Sequence, residues 1–203
     1  MKAQLIIPAM IAAIAGGCSS WQPPYDAGIE SRLLTNYTAA DQEIIELVAA
    51  SLIVDSEFIP NAPKSDRYDS IILSDRTVEF LPTRFQCLER SEGRKISAEA
   101  KQSLFHRNKA SVSIDNAEPK NSAILVEKVS RELQQMLEVP DHLSGRMPRG
   151  VVSVSLPGYS KDGNSAVICI GFVWSKHGAS GVFYLDRFDG AWRIKSRWFE
   201  YYC

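Results

Sequence analysis

The chain has no excess of charge of either sign: 23 Lys and Arg stand against 24 Asp and Glu in 203 residues, a net of −1. That removes the basic footprint expected of a nucleic-acid binder, and no block of like charge marks a solvated tail. Histidine is scarce at three and cysteine at four. No two cysteines lie close together and the histidines show no ligand spacing, so no metal and no cofactor is expected. No Gly-x-Ser-x-Gly elbow surrounds Ser153 or Ser155, and no His–Asp pair at a recognisable spacing supports either as a nucleophile. Beyond the first residues no apolar run is long enough to span a bilayer. What remains is a globular composition, 45% hydrophobic and 23% charged, of a length that suits one domain.

The N-terminus carries the strongest signal. Lys2 precedes an apolar run from Ala3 to Ala15, and small residues lead into Cys18. Thirteen helical residues rise about 20 Å, short of a hydrocarbon core of roughly 30 Å. The run therefore reads as a cleavable export signal over residues 1–17. Ala15-Gly16-Gly17-Cys18 resembles the lipobox of bacterial lipoproteins, with Ala15 at the position where that family usually has Leu. The resemblance implies that Cys18 is lipidated and holds the protein to the cell envelope. Ser19, with no Asp after the cysteine, implies the outer membrane facing the periplasm. Ala13-Ile14-Ala15 is also a site for ordinary secretion, which would release a soluble protein.

Residues 18–37, with Pro23, Pro24 and Gly28, are expected to form a tether that reaches about 60 Å when extended. Residues 38–203 are expected to fold as a single α+β domain, with N-terminal helices packed on an antiparallel β-meander over 151–199. Thr38 and Asp41 look like the cap of a helix whose Ile44, Ile45, Val48 and Leu52 recur at helical spacing, ending near Asp55. The apolar centre of 69–78 predicts a strand. Ser97 caps a second helix from Ala98 to about Arg107. Ile124-Leu125-Val126 predicts a strand and Ser130 the cap of a further helix to Glu138. One helix over 122–138 is the competing reading. Strands are expected over 151–156, 165–174, 181–188 and 191–199, with 175–180 as a loop. The Asp189-Gly190 hairpin signal is the clearest of these.

Three cysteines follow Cys18. Export places them in an oxidising compartment, where one disulfide is expected, with Cys87–Cys203 favoured because Cys169 sits in an apolar strand pattern. On the last strand Trp192, Ile194, Ser196 and Trp198 are expected on one face, and Arg193, Lys195 and Arg197 on the other. That basic stripe and the loop residues Arg146 and Arg149 are the candidate contacts for an envelope protein or cell-wall component. The tryptophans admit a second use, stacking on a wall sugar, besides packing in the core.

From Asp75 onward the order of features is similar to a group of small exported bacterial proteins with no established activity. Asp75-Arg76-Thr77, His106-Arg107-Asn108, Ser153-Val154-Ser155 with Gly158, the Asp162-Gly163 turn and Gly190-Ala191-Trp192-Arg193-Ile194 carry the resemblance. It implies architecture and export, and no chemistry. The group often has a cysteine pair before the third strand, where this chain has His177. The leading expectation is thus a non-enzymatic lipoprotein. The alternatives are a hydrolase using His106 with Asp75, and a small-molecule binder using the concave side of the meander. At the helix end, dipole complementation by His106 and Arg107 and a left-handed cap at Asn108 explain that triplet without catalysis. His142 and His177 are expected to be solvated loop residues.

Overall fold

The computed structural model describes residues 36–54, 68–79, 88, 95–114, 118–128, 148–174 and 177–202. Nine elements follow in chain order: α1 (Ala39–Val54), β1 (Ser70–Ser74), α2 (Ala98–Arg107), β2 (Ile124–Glu127), β3 (Pro148–Val154), β4 (Gly158–Tyr159), β5 (Ser165–Trp174), β6 (His177–Phe188) and β7 (Ala191–Tyr202). Helices and a sheet are both present. The strands form one seven-stranded sheet in the order β2-β1-β3-β5-β6-β7, with β4 also pairing β5.

The sheet is mixed. β1 runs parallel to both β2 and β3, while β3, β5, β6 and β7 pair antiparallel in turn. All five residues of β1 are buried, as expected of a strand covered on both faces. Alternation along β5 divides the core. Ala166, Ile168, Ile170 and Phe172 point to the side where α1 packs Ile44, Ile45, Val48 and Leu52. Val167 and Cys169 point to the other side, against Ala100 and Leu104 of α2. The two helices therefore lie on opposite faces of the sheet. Among the described residues, side chains of both core clusters pack against the two faces of β5 and β6.

Local chemistry explains the ends of the elements. Asp41 accepts hydrogen bonds from the Thr38 amide and hydroxyl, both at 2.8 Å, and its own amide donates to Thr38 Oγ1 at 3.3 Å. This reciprocal cap starts α1. Ser97 Oγ accepts from the Ala100 amide and starts α2. The β6–β7 turn is two residues long, with φ of 51° at Asp189 and 80° at Gly190. Positive φ at both central positions gives the twist that matches the flanking strands.

Several boundaries differ from the sequence expectation, among them the end of β7, which runs on to Tyr202 instead of stopping at Phe199, and the end of β3, at Val154 instead of Leu156. β3 begins at Pro148, so Arg149 lies in a strand rather than a loop. β6 begins at His177, so 177–180 is strand, paired with 171–174 of β5. Asn36 and Tyr37, expected in the tether, are attached to the domain: Arg107 binds the Asn36 carbonyl at 3.1 Å and Tyr37 packs on the α1 core. The expected signal peptide, Cys18, the rest of the tether, the Ser130 helix, Arg146, His142, Cys87 and Cys203 lie outside the described residues.

Candidate functional site

A buried ionic cluster sits where the start of α1, the end of α2 and β4 converge. Asp41 is 0% and Arg107 3% exposed. The guanidinium grips the carboxylate with both terminal nitrogens, NH1 to Oδ1 at 2.7 Å and NH2 to Oδ2 at 2.8 Å. Tyr159 donates its hydroxyl to Oδ1 at 2.8 Å, and its ring lies 5.4 Å beneath the Arg107 guanidinium carbon. Arg107 NH1 also reaches the Pro157 carbonyl at 2.7 Å. Burial opposes the Arg107 charge, but the hydrogen bond and charge of Asp41 outweigh it and hold the guanidinium pKa above its ordinary value. Burial, then the charge and hydrogen bond of Asp41, push the Tyr159 phenol well above its ordinary value. Each acceptor lobe of Asp41 is engaged, so the cluster is a clasp rather than a reaction centre.

Asn108 extends the clasp. Its side-chain amide donates to the Leu104 and Leu156 carbonyls and accepts from the Leu156 amide at 2.6 Å. This side chain pairs with the chain break between β3 and β4 as a strand would. Its φ of −112° corrects the expected left-handed cap.

Asp75 uses its backbone, donating to the Glu127 carbonyl and accepting from the Ile114 amide. Arg76 reaches Ser111 at 3.3 Å, and the buried Thr77 accepts from the Val112 amide through its hydroxyl. The triplet thus holds the 111–114 segment beside β1. No hydrogen bond or ion pair among the described residues joins His106 to Asp75. Ser155 is fully buried and its hydroxyl accepts from the Cys169 amide at 3.0 Å, a structural role. Cys169 is buried in the α2-side core. His177 belongs to β6, opposite Trp174.

The proposed contact residues are redistributed. Arg149 is 5% exposed and its guanidinium donates to the Leu52 and Ile53 carbonyls, capping the last turn of α1. It is not available as a surface contact. On β7, Tyr184 faces Ser196 while Leu185 faces Ile194, so Lys195 is the extra residue of a β-bulge. The bulge inverts the alternation beyond it. Trp192 packs in the α1-side core, whereas Trp198 packs against the α2-side core, so the two tryptophans do not share a face. The basic stripe is split in the same way. Arg197 lies opposite Phe183, on the α1 side, while Arg193 lies opposite Asp186 on the other. Lys195 pairs with Asp186 at 3.0 Å and covers the Tyr184 ring. Arg193 caps the ring of Phe188 at 4.5 Å, and Phe188 is 61% exposed.

A shallow groove of about 300 Å³ runs along the outer side of α1, between Glu43, Leu47 and Ala50 and the segment at Lys120 and Asn121. Glu46 accepts from Gln42 and from the Lys120 amide there, so its carboxylate is spent on holding the groove wall. No group of three or more potential metal ligands occurs among the described residues. No known family model matches the chain, nor does any curated protein or solved structure.

Proposed function

We propose that the chain is an exported lipoprotein of the bacterial envelope, held through Cys18 in the outer membrane and facing the periplasm. In this reading residues 38–203 form one α+β domain, with its helices packed on a C-terminal meander, and that domain is a binding module without catalytic activity. The observation that carries the reading is the apolar run ending in Ala15-Gly16-Gly17-Cys18. The geometry supports the second half of it. The buried charges at Asp41, Arg107 and Arg149 are committed to holding helix ends, and the exposed cations gather with an exposed aromatic at one end of the β6–β7 hairpin. Arg193 and Lys195 remain the candidate contacts for an envelope protein or wall component.

Metabolic labelling with a tagged fatty acid tests the anchor. The parent chain incorporates label and Cys18→Ser does not; an unlabelled, freely diffusing parent chain would sink the reading. Co-purification from envelopes with Arg193→Glu and Lys195→Glu tests the contacts. The parent retains a specific protein or wall fragment that the variant loses, and turnover of a substrate by the purified domain would replace this reading with an enzymatic one.

A further inference from the structure

The chain holds two Asp-Gly pairs, Asp162-Gly163 and Asp189-Gly190. An aspartate before glycine is open to attack by the next residue's amide, because no side chain shields that nitrogen. Both aspartates are exposed and both stand in turns, yet the fold treats their reacting atoms differently. At the first pair both groups are occupied. Asp162 Oδ1 accepts from Ser160 Oγ at 2.6 Å and from the Asn164 amide at 3.1 Å, and Oδ2 accepts from Asn164 Nδ2 at 3.2 Å. The Gly163 amide donates to the Ser160 carbonyl at 3.0 Å. The Ser160 hydroxyl, and then the Asn164 donors, hold the Asp162 carboxyl below its ordinary pKa, which depletes the acid form that loses water.

At the second pair neither group is occupied. Among the described residues no hydrogen bond or ion pair engages the Asp189 carboxylate, and the Gly190 amide meets no acceptor. The contacts that hold this turn use other atoms. Phe188 pairs with Ala191 across it, and Arg187 Nε donates to the Gly190 carbonyl at 3.1 Å. Asp189 also sits at φ of 51°, a left-handed conformation that is strained for a residue with a Cβ.

We infer that Asp189 is a site of spontaneous isoaspartate formation and that Asp162 is protected from it. The Gly190 amide nitrogen bonds to Cγ of the protonated Asp189 side chain. The amide proton and the carboxyl OH leave as water, which closes a succinimide. Water then opens the ring. Breaking the bond from nitrogen to Cγ returns aspartate, and breaking the original peptide bond leaves isoaspartate with a free α-carboxylate. Nothing is oxidised or reduced, and water is the co-reactant. The product keeps the negative charge but adds one methylene to the main chain of a two-residue turn. The flanking stacks, Arg187 over Trp192 at 5.5 Å and Arg193 over Phe188 at 4.5 Å, depend on that turn and loosen with it. Arg193 is a candidate contact, so its presentation changes as the protein ages. The chemistry is the same in an anchored or a soluble chain, so it does not rest on the lipoprotein reading.

The test incubates the folded full chain at neutral pH in heavy-oxygen water. Each ring opening leaves one heavy oxygen in the new carboxylate, so peptide mass spectrometry counts turnovers at each aspartate. Electron-transfer fragmentation then separates isoaspartate from aspartate. Label and isoaspartate should accumulate at Asp189 several-fold faster than at Asp162. The same chain in urea, where neither turn persists, should label the two pairs at similar rates, which assigns the difference to the fold. Ser160→Ala removes the hydroxyl from Asp162 and should raise labelling there without altering Asp189. Asp189→Glu, at an exposed position, cannot close the five-membered ring and should abolish label at that residue. Equal labelling of the two pairs in the folded chain, faster labelling at Asp162, or no label at Asp189 over the time in which the urea sample converts both overturns the inference.

Discussion

Replacing Asp41 with Asn would strand the Arg107 guanidinium, which is 3% exposed, without its counter-charge. Breaking a buried pair from one side costs about 3–5 kcal/mol, because the remaining charge stays desolvated. In a chain of this size that lowers the midpoint of calorimetric unfolding by about 10 °C. Tyr159 adds a pH dependence with a definite sign. Its phenol is raised in the folded state, so above about pH 10 the unfolded chain releases a proton that the folded chain keeps. Its contribution to stability is full below that pH and is lost as pH climbs through the alkaline range, by up to about 1.4 kcal/mol per pH unit. Tyr37, raised by burial and then by Glu46 and Asp41, acts in the same direction. Urea titrations between neutral and strongly alkaline pH should therefore show a falling midpoint, and Tyr159→Phe should flatten that fall while lowering the neutral value by about 1 kcal/mol. These residues were only half legible. Asp41 reads from the sequence as a helix cap, which it is, but its second oxygen serves partners 66 and 118 residues away that no local pattern shows.

The elements themselves were legible wherever a period or a turn residue wrote them. The 3.6-residue recurrence in α1, the Ser97 cap of α2 and the Asp189-Gly190 turn are all local, and each stands where the pattern puts it. The start of β6 was not. His177-Gly178-Ala179-Ser180 has the composition of a loop, and pairing with β5 on one side and β7 on the other overrides it. The bulge at Lys195 also leaves no mark in the sequence, since period-two alternation reads straight through it. Deleting Lys195 tests its role. The deletion restores an unbroken register in which Ile194 still faces Leu185 and Ser196 still faces Tyr184, so Trp198 and Phe199 keep their sides and urea melts should show little more loss of stability than with Lys195→Ala, which keeps the extra residue. Tight packing makes a second test at this scale. A Cβ on Gly158 would come within 2.3 Å of the Ala100 carbonyl, so Gly158→Ala forces α2 away from β4. Guanidinium melts should show a loss of about 2 kcal/mol, and the Asn108 bridge to Leu156 should loosen with it.

At the scale of the molecule, the described helices on opposite faces of one sheet are tied together at its end through Arg107 and Asp41. The clasp should therefore couple them: amide exchange in α1 and α2 should share one protection level, and Asp41→Asn should lower both together. Separate rates in the parent chain would show that each helix opens alone. The combination of helices and sheet was legible from the order of patterns, but the position of β1 was not. It comes from the first half of the chain, yet it lies parallel between β2 and β3. That insertion has a consequence for anyone shortening the protein. The five strands from Pro148 onward are consecutive and mostly joined by hairpins, and they look self-sufficient. Cut from the rest, they would present the bare amides and carbonyls of β3 along the side that β1 normally occupies. Such a fragment would recruit copies of itself and precipitate, so the C-terminal half cannot stand in for the whole.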